Sequence, residues 1–154
     1  PGHRLLEKYA VRMGGGANHR FGLYDAVMIK DNHIKGAGGI RAAVAAARAR
    51  IPHTMTIEVE TETLEQVAEA LEAGADILML DNMPVSRMAE AVKLIRARAP
   101  HVKIEASGGV TLDTIREIAA TGVDIISVGG LTHSFASIDI SLDLGGRKPG
   151  GEQA

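Results

Sequence analysis

Charged residues and glycines follow short apolar runs throughout this 154-residue chain. Lys30, with Asp31, Asn32 and His33 behind it, follows "AVMI", and Glu60 follows "MTIEV". Asp81 and Asn82 follow "DILML"; Ser107, Gly108 and Gly109 follow "VKIEA"; Gly129 and Gly130 follow "DIISV". One charged residue after a strand is commonly a solvated edge or half of a structural ion pair. Five such positions on one rim make a candidate site, because parallel α/β folds bind ligands at the carboxyl ends of their strands.

The chemistry follows from the residue types. Glu60 and Asp81 offer hard oxygen donors for a divalent cation, most naturally Mg²⁺ held largely through water and substrate oxygens. Pairing of the same carboxylates with Lys30 is an equally good reading. Ser107, Gly108 and Gly109 form a loop whose backbone N–H groups can approach a phosphate, next to a helix expected to start at Thr111. Gly129 and Gly130 supply a second wall of that cradle, although tight turns want glycine too. The glycine-rich "GGGANHRFG" carries His19 and Arg20, which together with Lys30 would make a cationic pocket for carboxylates. The plainer alternatives are that Arg20 neutralises Asp25 and His19 stands in water. Such a site suits a phosphorylated sugar beside a small organic acid.

The elements that must position these residues are legible in the periodicity. The five apolar runs read as strands, and "HRLLEKYAVRM" reads as a helix. Leu64, Val67, Ala68 and Leu71 repeat at helical spacing, as do Met88, Ala91, Val92 and Ile95, and Leu112, Ile115, Ile118 and Ala119. Thr61 or Thr63, and Thr111, are expected N-caps, with Gly74 and Gly122 at helix C-termini. Alternating strands and helices imply a parallel sheet, closed into a barrel or open and doubly wound. The polar residue at every strand end favours the barrel. "SIDISLDL" at 137–144 is a possible further strand, within a domain read as 1–144, and 145–154 reads as a flexible tail.

Composition narrows the classes. A net charge of -2 gives no basic field for nucleic acid or an anionic membrane surface. With no cysteine there is no disulfide or thiolate chemistry, and a reducing cytoplasm is expected. No apolar run is long enough for a bilayer span.

The stretches "PGHRLLEKYAVRMGGGANHRFGLYDAVMIKDNHI", "IEVET", "LMLDN", "IEASGGV" and "SVGGLTHS" closely resemble the quinolinate phosphoribosyltransferases, the decarboxylating nicotinate-nucleotide pyrophosphorylases of NAD biosynthesis. The resemblance runs from Pro1 to about Leu144. It implies a partly open, seven-stranded α/β barrel that transfers ribose 5-phosphate from phosphoribosyl pyrophosphate to quinolinate, with Mg²⁺ as cofactor and a homodimer or higher oligomer as the assembly. By position it assigns His19, Arg20 and Lys30 to the substrate carboxylates, and Glu60 and Asp81 to the ribose and the metal-bound pyrophosphate. Ser107, Gly108, Gly109, Gly129 and Gly130 fall to the 5-phosphate, with Lys30, Glu60 and Asp81 as the catalytic set.

The resemblance also marks departures. The family carries an N-terminal α/β sandwich domain and an Arg-Lys-Thr stretch before the point where this chain starts. This sequence opens Pro1-Gly2-His3 and reads as a cut from something longer, without the first barrel strand. The isolated chain is therefore expected to turn over poorly or not at all. Two other readings stand beside the transferase. One is a barrel aldolase using Lys30 as a Schiff-base nucleophile, and the other a non-catalytic fragment that associates with other chains through an unpaired edge.

Overall fold

The computed structural model describes residues 2–142 and 144. After an N-terminal helix α1 (Arg4–Met13), the chain forms β1 (Val27–Ile29), α2 (Asp31–Ala37), α3 (Ile40–Arg48), β2 (Ile57–Thr61) and α4 (Leu64–Glu72). It continues through β3 (Ile77–Asp81), α5 (Val85–Arg98), β4 (Lys103–Ser107), α6 (Ile115–Ala120), β5 (Ile125–Ile126) and α7 (Gly130–His133).

The strands form one five-stranded sheet in the order β1-β2-β3-β4-β5, with every pair parallel. That order settles barrel against doubly wound sheet. A doubly wound sheet reverses its strand order at a switch point; here each strand lies beside the next in sequence. Right-handed crossovers of one sense then put the helices on a single face. The sheet is an open arc of a barrel, with five strands among the described residues rather than the seven that the resemblance implies.

Alternation along each strand separates two faces. Ile57, Val59, Leu78, Leu80, Ile104 and Ala106 join the apolar core with Val44, Val67, Ala70, Met88, Ala91, Val92 and Ile95 of the helices. The other face carries Glu58, Met79 and Glu105, all buried. Met79 lies outside the apolar cluster, on the polar side of the sheet.

One polar device recurs at the amino ends of the strands. Asp76, just before β3, accepts the Ile57 N–H at 2.7 Å and the Arg48 guanidinium at 2.8 Å, and Arg48 also donates to the Gly74 carbonyl. Asp124, just before β5, does the same with Ile104 N–H, Arg96 and the Gly122 carbonyl. Each aspartate thus ties a strand start to its neighbour and to the end of a preceding helix. Gly74 and Gly122 adopt φ of 80° and 91°, the left-handed conformation a helix exit needs.

Several expectations shift. Thr63, not Thr61, caps α4: its Oγ1 accepts the Gln66 N–H, while buried Thr61 donates to the Met79 carbonyl. α6 starts at Ile115 rather than Thr111, and Leu112 is 93 % exposed, because Thr111 and Thr114 bond each other in a turn ahead of the helix. Asp31–His33 begin a helix, and the alanine-rich α3 carries too weak a stripe to have been read. "SIDISLDL" is not a strand over 137–142, where Ile138, Ile140 and Leu142 are exposed and unpaired; Asp143 and the tail 145–154 lie outside the described residues.

Burial pushes the Asp124 carboxyl up, but hydrogen bonds from Arg96 and the Ile104 amide and the charges of Arg96 and Lys103 outweigh it and hold the group below its ordinary 3.8. A depressed carboxyl contributes stability above its unfolded pKa and loses it as pH falls through the folded value. Asp124→Asn should cost about 1 kcal/mol at neutral pH. The cost should shrink between neutral pH and an acidic pH below the lowered folded value, where the wild-type group is itself protonated. Urea midpoints of both proteins at the two pH values check this; an unchanged gap would show that the charge plays no part.

Candidate functional site

Parallel pairing brings the strand ends to one edge, and the register says how they align. Glu60 pairs with Met79, and Asp81 pairs with Ser107. Lys30, the N-cap of α2, reaches across β1 and β2 to place Nζ 3.4 Å from Glu60 Oε2. The plainer reading of Glu60, pairing with the nearby lysine, is therefore present in the structure. His33 folds back so that its Nδ1 accepts the Lys30 N–H at 2.9 Å, which fixes the first turn behind the lysine.

Asp81 accepts from the Asn82 side-chain amide at 2.8 Å. Asn82 takes a left-handed φ of 52°, and its N–H donates to the Ser107 carbonyl. Gly108 passes directly over it: a Cβ there would stand 2.3 Å from Asn82 Oδ1 and 2.9 Å from its backbone nitrogen. The glycine is demanded by that close approach as well as by a φ of 91°. Gly109 is also left-handed, at 61°, but faces open space. Among the described residues the amides of Gly108, Gly109, Gly129 and Gly130 donate to no protein acceptor, which leaves them available to an anion. Gly129 and Gly130 open the four-residue α7, and a Cβ on Gly129 would meet the His133 ring at 3.1 Å.

The cationic trio expected from the sequence is not one cluster. Arg20 donates Nη1 to the Ala26 carbonyl at the start of β1, and Asp25 is held by the Phe21 and Gly22 amides rather than by Arg20. Those two backbone bonds lower the Asp25 carboxyl. His19 turns to the inner face of the sheet, with Nε2 3.3 Å from Glu58 and 3.6 Å from Glu105. Lys8 of α1 secures this loop by donating to the carbonyls of both His19 and Arg20.

Glu58 and Glu105, at 4 % and 2 % exposure, are the charged residues beside His19 that sequence reasoning missed. The Ser127 hydroxyl donates to Glu105 at 2.6 Å. Burial, followed by the Glu58 charge, raises the Glu105 carboxyl against the opposing pull of Ser127 and His19. The hydrogen bond to Glu58 leads the upward shift of His19, with the Glu105 charge adding to it and burial opposing it. A signal was there: a glutamate inside each of "TIEVE" and "KIEAS", two residues before a rim position and so on the same strand face.

Fold and site together define a barrel-type α/β domain with charged residues and glycine loops along the carboxyl ends of its strands. The family model for the quinolinate phosphoribosyl transferase C-terminal domain matches residues 1–143, and the chain belongs to that family. It is 54% identical over 144 residues to a probable nicotinate-nucleotide pyrophosphorylase [carboxylating] of Bacillus subtilis, covering 94% of this chain and 49% of that protein. To the human nicotinate-nucleotide pyrophosphorylase [carboxylating] it is 43% identical, covering 94% and 48%. The crystal structure of nicotinate-nucleotide pyrophosphorylase from Ehrlichia chaffeensis superposes with a TM-score of 0.84 at 41% identity, over 93% of this chain and 51% of that one. The chain thus spans about half the length of the relatives it matches. No helix among the described residues is long and apolar enough to cross a membrane.

The two loop glycines should respond differently to a methyl group. Gly108→Ala adds a backbone clash to left-handed strain and should cost about 3 kcal/mol or more; Gly109→Ala, strained but unobstructed, should cost about 1 kcal/mol. Denaturant unfolding measures both, and equal losses would mean that the contact with Asn82 does not constrain the loop.

Proposed function

We propose that this domain forms the substrate-holding face of a quinolinate phosphoribosyltransferase, acting in the cytoplasm as part of a homodimer. Ribose 5-phosphate passes from phosphoribosyl pyrophosphate to the ring nitrogen of quinolinate. Pyrophosphate and carbon dioxide leave, and nicotinate mononucleotide remains. The observation that carries this reading is the rim itself: Lys30 against Glu60, with Asp81 beside Ser107 and the free amides of Gly108 and Gly109 on the same edge.

Each group then has a task. The bond from ribosyl C1 to pyrophosphate breaks with its electrons on the leaving oxygen, and the pyridine nitrogen supplies the pair for the new C1–N bond. Glu60 and Asp81 face the positive charge that grows on C1, and their value is electrostatic. Lys30 offers a point charge to a quinolinate carboxylate, while Arg20 keeps the rest of its guanidinium for a second contact after giving Nη1 to Ala26. The free glycine amides receive the 5-phosphate, together with Ser107. Once ribosylated, the cationic ring takes up the electrons of the breaking carbon–carboxyl bond, and a proton replaces the carbon dioxide.

Glu60 and Asp81 fit Mg²⁺ by donor type: both are carboxylates on adjacent strands, and no third acidic residue or histidine gathers with them among the described residues. Such an ion would be held through these two and diphosphate oxygens, and its chemistry is to offset charge on the leaving pyrophosphate. Support for a partner subunit comes from α1, whose Leu5, Leu6, Tyr9 and Met13 are all exposed. The Schiff-base alternative finds little here: Lys30 is half exposed and paired, without the apolar pocket that activates an amine.

A polypeptide of the relatives' full length carrying this domain should release pyrophosphate and carbon dioxide only when both substrates are present. Lys30→Ala should raise KM for quinolinate by about 10-fold or more with a smaller effect on phosphoribosyl pyrophosphate, and Asp81→Asn should act mainly on kcat. Intact quinolinate affinity in the lysine variant would remove Lys30 from the pocket, and no product with both substrates present would end the transferase reading.

A further inference from the structure

Asn82 directly follows Asp81 at the end of β3, and the transfer as described gives it no task. Its backbone is the one left-handed non-glycine conformation among the described residues, at a φ of 52°. Asparagine enters that region more readily than most residues, but glycine does so without strain. A turn that needed the conformation alone would be served at least as well by glycine. The reason for asparagine must therefore lie in its side chain.

Two contacts leave that side chain in different directions. Nδ2 donates to Asp81 Oδ2 at 2.8 Å, and because an ionised carboxylate only accepts, the amide nitrogen has to face it. Oδ1 is thereby turned to the loop after β4, where it fills the space that a Cβ on Gly108 would need. A third contact comes from the main chain: the Asn82 N–H donates to the Ser107 carbonyl at 2.9 Å, one step beyond the Asp81–Ser107 pair. One residue thus touches both the acid that ends β3 and the glycine loop that ends β4.

Substrate geometry gives that link a purpose. In ribose 5-phosphate the reacting C1 and the C4 that bears the phosphorylated C5 flank the ring oxygen, so the distance from C1 to the phosphate is confined to a narrow range. A carboxylate facing C1 and amides holding the phosphate must keep a matching separation, since small misplacements of reacting groups lower rates steeply. We propose that Asn82 is a positioning residue for the transfer, holding the Asp81 carboxylate at the spacing from the Gly108–Gly109 loop that ribose 5-phosphate requires. The inference rests on the transferase reading and assigns Asn82 the ribosyl side of the site, not the quinolinate side.

Asn82→Gly separates backbone from side chain, because glycine keeps the left-handed turn and the N–H to Ser107 while losing both side-chain contacts. In a polypeptide of the relatives' full length carrying this domain, the variant should keep the wild-type urea midpoint. Its kcat/KM for phosphoribosyl pyrophosphate should fall by about tenfold or more, through both constants, with KM for quinolinate unchanged. A general folding defect would not single out one substrate. Asn82→Asp accepts the same backbone but sets a second carboxylate against Asp81; it should lower kcat as well, and it replaces the glycine variant should that fail to fold. Wild-type rates in both variants, or a KM for quinolinate raised as much as that for phosphoribosyl pyrophosphate, would overturn the assignment. A wild-type polypeptide that makes no product would instead strike the transferase reading. Calorimetric titration with ribose 5-phosphate then decides the matter: binding weakened by Asn82→Gly upholds the link, and no difference from wild type ends it.

Discussion

A parallel sheet whose strands follow one another in chain order has only one face to give to helices. Here that face takes the whole apolar supply of the strands, from Ile57 and Val59 through Leu78 and Leu80 to Ile104 and Ala106. The other face is then free to carry polar groups, provided each finds a partner. Everything functional in this domain is a consequence of that division: the rim residues and the buried glutamates are the polar half of strands whose apolar half holds the fold together.

The aspartates at the strand starts are the mechanical complement of the site. Asp76 and Asp124 each bind an N–H at the start of a neighbouring strand and an arginine from the end of a preceding helix. They set the strand register at the amino edge, and the rim alignment of Asp81 with Ser107 at the carboxyl edge follows, since residues along a paired strand advance in step. A domain can in this way separate the groups that hold it from those that meet ligands, as barrel folds do.

Much was legible in the residues. All five strands, the helix carrying Met88, Ala91, Val92 and Ile95, and the glycine exits at Gly74 and Gly122 were readable, because burial imposes a period of 2 or 3.6 and a left-handed exit imposes glycine. α3 was not readable, since alanine packs in any stripe, and α6 was placed too early because Leu112 mimicked the stripe while facing solvent. The last alternating segment had strand chemistry, but over 137–142 it pairs with no strand among the described residues, and alternation by itself supplies no hydrogen bonds.

The site divides along the same line. That Lys30, Glu60, Asp81 and Ser107 end strands, and so share an edge once the sheet is parallel, was determined by the sequence alone, because strand ends are local events. Which partner each side chain takes was decided only by tertiary structure: Lys30 with Glu60, His19 with Glu58 and Glu105, Arg20 with the Ala26 carbonyl. The first two contacts join segments distant in the chain, across a surface whose curvature and register no local pattern encodes. A glutamate in mid-strand looks the same in sequence whether it faces water or a buried imidazole.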